Sequence, residues 1–234
     1  MNVIPKAVHL GFIRLIGPLV QLCVRLHIRP NTITTIGTLV VLLSAVAFAR
    51  GSVHWGGFLL LLSGVFDMLD GQVARDGSAR TTFGAFYDST LDRVGEAALF
   101  TGIATYFLQG GISHERLTLA VIGCFAALGG SLIVSYTRAR AESLGVECST
   151  GIAGRAERIL LLGAPTLLFG PGTRGALLFW IVFVLAFATA VTVVQRVLHV
   201  ARETATREPG ATRAARTHDP ISGRAPAMQS RKGR

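Results

Sequence analysis

Phe66–Glu96, FDMLDGQVARDGSARTTFGAFYDSTLDRVGE, sets Asp67, Asp70, Asp88, Asp92, Arg93 and Glu96 against two apolar runs, Val53–Phe66 before it and Ala97–Leu108 after it. Asp67 and Asp70 are three residues apart and Asp88 and Asp92 four, so on helices of about 3.6 residues per turn each pair projects from one face. An antiparallel hairpin of these two helices brings both pairs to one depth, two carboxylates facing two. Runs of this length cover roughly 18–21 Å, less than the roughly 30 Å hydrocarbon core of a bilayer, so the acids are expected at its boundary. Ionisable groups there are costly and mark function.

A bilayer is the solvent the rest of the chain asks for. Of 234 residues, 50% are hydrophobic and only 15% charged, and the mean hydropathy is +0.52, too apolar to clothe a soluble domain. Apolar runs recur at 33–49, 53–66, 97–108, 117–136, 159–169 and 176–194. Two of them are long enough to span unaided; the others span only if adjacent polar turns also enter the membrane. The expected fold is therefore an all-α polytopic membrane protein with six transmembrane helices. Before them, residues 1–29 intersperse Lys6, Arg14, Arg25 and Arg29 among apolar residues and carry Pro5 and Pro18. That pattern predicts an N-terminal amphipathic helix lying on the membrane surface rather than a signal peptide or a seventh span.

Alternating spans from a cytoplasmic amino terminus leave only Arg50, Arg116 and Arg174 in outer loops, so nearly all of the 23 Lys and Arg lie on the inner side. The net charge of +10 is then accounted for by a cytoplasmic membrane face and anionic lipid. No basic-aromatic motif suggests nucleic acid. The expected partition is residues 1–29 as surface helix, 30–200 as the membrane domain, and 201–234, rich in Arg, Thr, Ala, Pro and Gly, as a disordered basic tail. Cys23, Cys124 and Cys148 have no metal-ligand spacing and are expected to be packing residues.

Four close carboxylates oppose one another's ionisation unless cations neutralise them. A set of oxygen donors without His or Cys favours Mg²⁺ or Mn²⁺ over zinc, and four aspartates suit two ions roughly 3.5–4 Å apart, the arrangement of phosphoryl-transfer sites. Incidental acids on a solvated helix end are a poor account, because the chain has only 13 acids and four fall here in helical register. Gly71 follows Asp70 directly, and Gly84 precedes Asp88 by one turn; both clear space beside the carboxylates for a flat nucleotide. Arg75, one turn after Gly71, supplies positive charge for a pyrophosphate.

Asp67-Met-Leu-Asp70-Gly71-Gln-Val-Ala74-Arg75, eight residues, then Gly84-Ala-Phe-Tyr-Asp88-Ser-Thr-Leu-Asp92 resembles the full signature of the CDP-alcohol phosphatidyltransferases. Arg29-Pro30-Asn31-Thr32-Ile33-Thr34 is similar to that family's approach to its first membrane helix. The resemblance implies a six-helix fold, a homodimer, and a nucleotide site facing the cytoplasm. It further implies that Asp67, Asp70 and Asp88 hold the metals, that Asp92 completes the cluster and is general base on the acceptor hydroxyl, and that Gly71, Ala74, Arg75 and Gly84 bind the CDP-lipid.

The acceptor must be read from other residues. Arg138 and Arg140 end the fourth span, Arg155 and Arg158 open the fifth, and Gln195-Arg196 ends the sixth, so positive charge converges from three helices as a phosphorylated alcohol requires. These stretches resemble the bacterial phosphatidylinositol phosphate synthases, which implies inositol phosphate as acceptor with Arg138, Arg155 and Arg196 on its phosphate. Arg138 stands where a Lys, and Ala156 where a Pro, is expected from that likeness. Glycerol 3-phosphate, giving phosphatidylglycerophosphate, suits the same charge. A divalent-cation transporter is the rival of a different class, but its acids would thread the bilayer rather than gather at the ends of two helices.

Overall fold

The computed structural model describes residues 6–77 and 80–207, and all regular structure among them is helical. In chain order the helices are α1 (Lys6–Arg25), α2 (Pro30–Ala49), α3 (Val53–Asp76), α4 (Thr82–Tyr106), α5 (His114–Ser143), α6 (Arg155–Phe169) and α7 (Ala176–Arg207). Local chemistry sets several ends. Pro30 opens α2, where a missing N–H costs nothing. The Thr81 hydroxyl accepts from the Gly84 N–H at 2.9 Å and caps α4. Gly51 and Gly110, both at positive φ, close the short turns after α2 and α4.

Four helical segments are long and apolar enough to cross a membrane: α2, α3, α5, and residues 173–206, which take in all but the last residue of α7. Two had been expected to span unaided. The difference arises because these helices continue past their apolar runs: α3 passes Phe66 and ends at Asp76, carrying the aspartates on its extension. The chain is thus a multi-pass membrane protein. Residues 201–207 also differ from expectation, being the last turns of α7 rather than part of a tail. The remainder of that expected tail, 208–234, and residues 1–5 of the expected surface helix lie outside the described residues.

The packing is that of a lipid-facing bundle. Large apolar side chains such as Phe125, Trp180 and Phe187 are exposed, where lipid tails are as good a partner as protein. Small and hydroxylic residues fill contacts inside, among them Ala120, Ala127 and Ser131 on α5 and Thr189 and Thr192 on α7. Phe48, Leu60, Ile103, Phe107, Leu162 and Leu185 form a continuous core. Ile16, Val20 and Cys23 of α1 bury a second, smaller cluster against Ile33, Leu69 and Val73. All three cysteines are free and buried, in keeping with packing roles.

One expectation is corrected. The two aspartate-bearing helices do not pack as a hairpin: among the described residues α3 and α4 make no direct backbone approach, and α2 lies between them, packed along both. Close contacts on either side of α2 allow this. A Cβ on Gly37 of α2 would stand 2.9 Å from the Phe66 Cβ of α3, and one on Gly102 of α4 would strike the Ala45 carbonyl of α2. With α2 held this close on both flanks, carboxylates from α3 and α4 reach one another past its amino-terminal turns.

Candidate active site

Asp67 and Asp70 from α3 and Asp88 from α4 bring carboxylate oxygens within 4.8 Å of one another. Opposite oxygens on one ion with bonds of roughly 2.0–2.6 Å are separated by about this distance. Asp70 is buried at 7% exposure, and the Thr34 hydroxyl of α2 donates to its Oδ2 at 2.7 Å. Asp88 Oδ1 is buried with no hydrogen-bond partner among the described residues. An acceptor oxygen in that condition suits a cation, since a buried polar atom left alone is costly. The donors are oxygen throughout, so the residues fit a hard divalent ion.

Asp92 is tied to the triad differently. All four aspartates line one narrow cavity with Thr34, Thr38 and Ser63, but Asp92 is paired with two arginines. Arg93 Nη2 lies 3.4 Å from its Oδ2, and Arg155 Nη1 makes a close ion pair with its Oδ1. Arg155 Nε also stands 3.5 Å from Asp67 Oδ2. The guanidinium at the head of α6 therefore bridges the acids of α3 and α4.

Two larger pockets flank the cluster. The first, about 240 Å³, is lined by Gly71, Ala74, Arg75 and Gly84, the four residues expected to bind a CDP-lipid, and by Asp70 and Asp88. A Cβ on Gly84 would crowd Thr81 Oγ1 at 3.0 Å and Asn31 Oδ1 at 3.2 Å, so the α4 backbone meets this pocket bare. Sequence reasoning missed its other polar lining, namely Asn31, Thr34, Arg80 and Thr81. Asn31 and Thr34 were visible in the Arg29–Thr34 stretch, but nothing there says that α2 crosses between the acidic helices.

The second pocket is about 740 Å³ and shares Asp88 and Asp92 with the cluster. Arg138, Arg155 and Arg196 all line it, joined by Arg93 and Arg158. Arg196 is 6% exposed; its Nε donates to the Thr150 carbonyl at 2.9 Å and its Nη1 closely to the Val134 carbonyl, which fixes the plane of its fork. Arg138 pairs with Glu142 at 2.8 Å, one turn along α5. Arg158 forms a close, buried ion pair with Glu96 of α4 and donates to the Ala153 carbonyl at 2.9 Å. That pair was not foreseen: Glu96 and Arg158 are 62 residues apart, and only their long side chains, reaching between two helices that do not pack directly among the described residues, join them. Arg155 was expected to face a phosphate, and it does line this pocket while touching the carboxylates.

Helices long enough to span a bilayer, carrying an acidic cluster between a glycine-lined pocket and a basic one, define the class: a polytopic membrane protein whose polar site lies where helix ends meet. Comparison with known proteins narrows the class. Residues 27–214 match the profile of the CDP-alcohol phosphatidyltransferases. The phosphatidylinositol phosphate synthase of Cutibacterium acnes is 38% identical over 200 residues, 82% of this chain and 95% of that protein. A crystal structure of Mycobacterium tuberculosis phosphatidylinositol phosphate synthase with CDP-DAG bound superposes with a TM-score of 0.68 at 31% identity, covering 80% of this chain and 94% of that one. The same enzyme in complex with manganese and citrate gives 0.67 at 30%, covering 78% and 87%. The chain belongs to the CDP-alcohol phosphatidyltransferase family and is a transferase of that family.

Proposed function

We propose that this protein transfers the phosphatidyl group of CDP-diacylglycerol to the hydroxyl of an inositol phosphate, releasing CMP. The observation that carries the reading is the position of the aspartates between two pockets: Asp70 and Asp88 are shared with the glycine-lined pocket, and Asp88 and Asp92 with the arginine-lined one. Donor and acceptor bound in these pockets meet over the carboxylates. The likeness to phosphatidylinositol phosphate synthases supports the choice of acceptor.

In this reading Asp67, Asp70 and Asp88 hold two divalent cations, Mg²⁺ or Mn²⁺, and Asp92 completes the set. When bound, such ions polarise the phosphoryl oxygens and stabilise the departing phosphate. Gly71 and Gly84 let the nucleotide lie against bare backbone, Ala74 keeps that wall low, and Arg75 faces the diphosphate. Arg138, Arg155 and Arg196 grip the acceptor phosphate and aim its hydroxyl at the phosphorus that bears the diacylglycerol. Asp92 takes the hydroxyl proton as the new O–P bond forms. The bond from that phosphorus to the bridging oxygen breaks, and CMP leaves with the bond's electrons.

The wider architecture is part of the proposal. α2 to α7 are taken as six spans of a membrane domain, with α7 running on past residue 200 to Arg207, preceded by a surface helix within 1–29 and followed by a basic stretch of sequence. α4 and α6 cross inside the bundle: α4 packs on α2 and α5, and α6 on α3 and α7. The bias of Lys and Arg supports an active site facing the cytoplasm in the cell membrane. The homodimer implied by the family likeness is retained.

The test is CMP release by the purified protein from CDP-diacylglycerol with Mg²⁺ or Mn²⁺ and one acceptor at a time. Inositol 1-phosphate is expected to support turnover, and free inositol and serine are not. Turnover with glycerol 3-phosphate alone would reassign the acceptor, and turnover with an unphosphorylated alcohol alone would overturn the role of the arginines.

A further inference from the structure

Arg155 lines both the acidic cavity and the basic pocket. Its guanidinium lies within ion-pair reach of Asp67 and Asp92, both of which line the acidic cavity. Its backbone is anchored at the start of α6, and Arg158, one turn on, is pinned to Glu96 and the Ala153 carbonyl. The helix end is therefore fixed, and moving the guanidinium from the carboxylates into the basic pocket calls for a change of side-chain rotamer alone.

We propose that Arg155 competes with divalent cations for Asp67 and Asp92, so that cation binding turns its guanidinium into the basic pocket and makes cation and acceptor phosphate bind cooperatively. The second half rests on the reading of a phosphorylated acceptor given above. The physics is a balance of like for like. The carboxylates need positive charge from some source, and a guanidinium supplies one unit where a divalent ion supplies two. A displaced guanidinium in a half-buried pocket needs an anion in turn. Each ligand thus removes a cost of binding the other, and the coupling is reciprocal. In this scheme Arg155 is a positioning residue for the cluster and a ligand of the acceptor phosphate only once released.

The test is Mn²⁺ binding to the full chain in detergent without lipid substrate, read by calorimetry or by the paramagnetic signal of bound ion. Arg155→Gln is expected to bind Mn²⁺ more tightly than wild type, by about 5- to 150-fold, the range of typical couplings. Arg155→Lys, which keeps charge but loses the fork, is expected in between. Inositol 1-phosphate should tighten Mn²⁺ binding in wild type and not in Arg155→Gln. Equal or weaker Mn²⁺ binding by both variants, each checked for a cooperative thermal transition, would overturn the competition. Should Arg155→Gln fail to fold without metal, Arg155→Lys alone decides the sign. If inositol phosphate raises the Tm of wild type yet leaves its Mn²⁺ affinity unchanged, the coupling is wrong and the acceptor reading stands. If it shifts the Tm at no cation concentration, the acceptor reading fails and takes the coupling with it.

Discussion

Thr34 holds Asp70 through a single short hydrogen bond from a neighbouring helix, and hydrogen bonds to charged groups contribute about 1.5–3 kcal/mol. Thr34→Val keeps the shape and removes the donor, so Mn²⁺ affinity is expected to fall roughly tenfold or more, while Thr34→Ser restores it; titration of the three proteins checks this. Asp92→Asn is expected to slow CMP release by about 10²–10⁴-fold, the usual contribution of a general base, with insertion into membranes unchanged. Retained turnover would remove Asp92 from that role. The two aspartate pairs and the neighbouring glycines could be singled out because their spacing puts them on shared helix faces; Arg138, Arg155 and Arg196 were singled out by the resemblance to phosphatidylinositol phosphate synthases, and all three line one pocket. Thr34, Glu96 and the double pairing of Arg155 were not legible, because each depends on which helices lie near one another. A threonine among the apolar residues of α2 carries no sign of the carboxylate 36 positions away that it meets.

At the scale of elements, the placement of α2 between α3 and α4 makes the site, and helical periodicity cannot report it. The sequence shows two acidic helices adjacent in order, for which direct packing is the simplest arrangement; the Gly37 and Gly102 contacts become meaningful only once α2 is seen between them. Gly102→Ala drives a methyl into the Ala45 carbonyl. A loss of about 1–3 kcal/mol is expected from such overpacking, read as a lower Tm, together with reduced Mn²⁺ affinity as α4 is pushed from α2. Glu96→Ala leaves the Arg158 guanidinium buried and unpaired, which costs about 3–5 kcal/mol. A Tm shift of less than a degree would show that the pair does not anchor α6 to α4. Helix lengths were under-read for a related reason: apolar runs mark the part of a helix in lipid, and the functional part lies beyond it.

For the whole molecule, the legible features were those that composition dictates: an all-helical membrane chain, basic at one face. The full lining of the two pockets was not legible, since it comes from six helices, α2 to α7, distant in sequence. The proposed orientation predicts that a cysteine introduced at Ser52 or Ser113 reacts with an impermeant thiol reagent from outside intact cells, and that one at Ser149 does so only after lysis. Both native and introduced labelling are separable, because the three natural cysteines are buried. The claim on which the mechanism stands is that aspartates of α3 and α4 hold a pair of divalent ions between the two pockets. Paramagnetic resonance of the purified protein titrated with Mn²⁺ measures this directly. Two bound ions per chain with the spin coupling of a pair roughly 3.5–4 Å apart, abolished by Asp67→Asn or Asp88→Asn, is the expected result. Isolated, uncoupled Mn²⁺ whose binding survives both substitutions would contradict it.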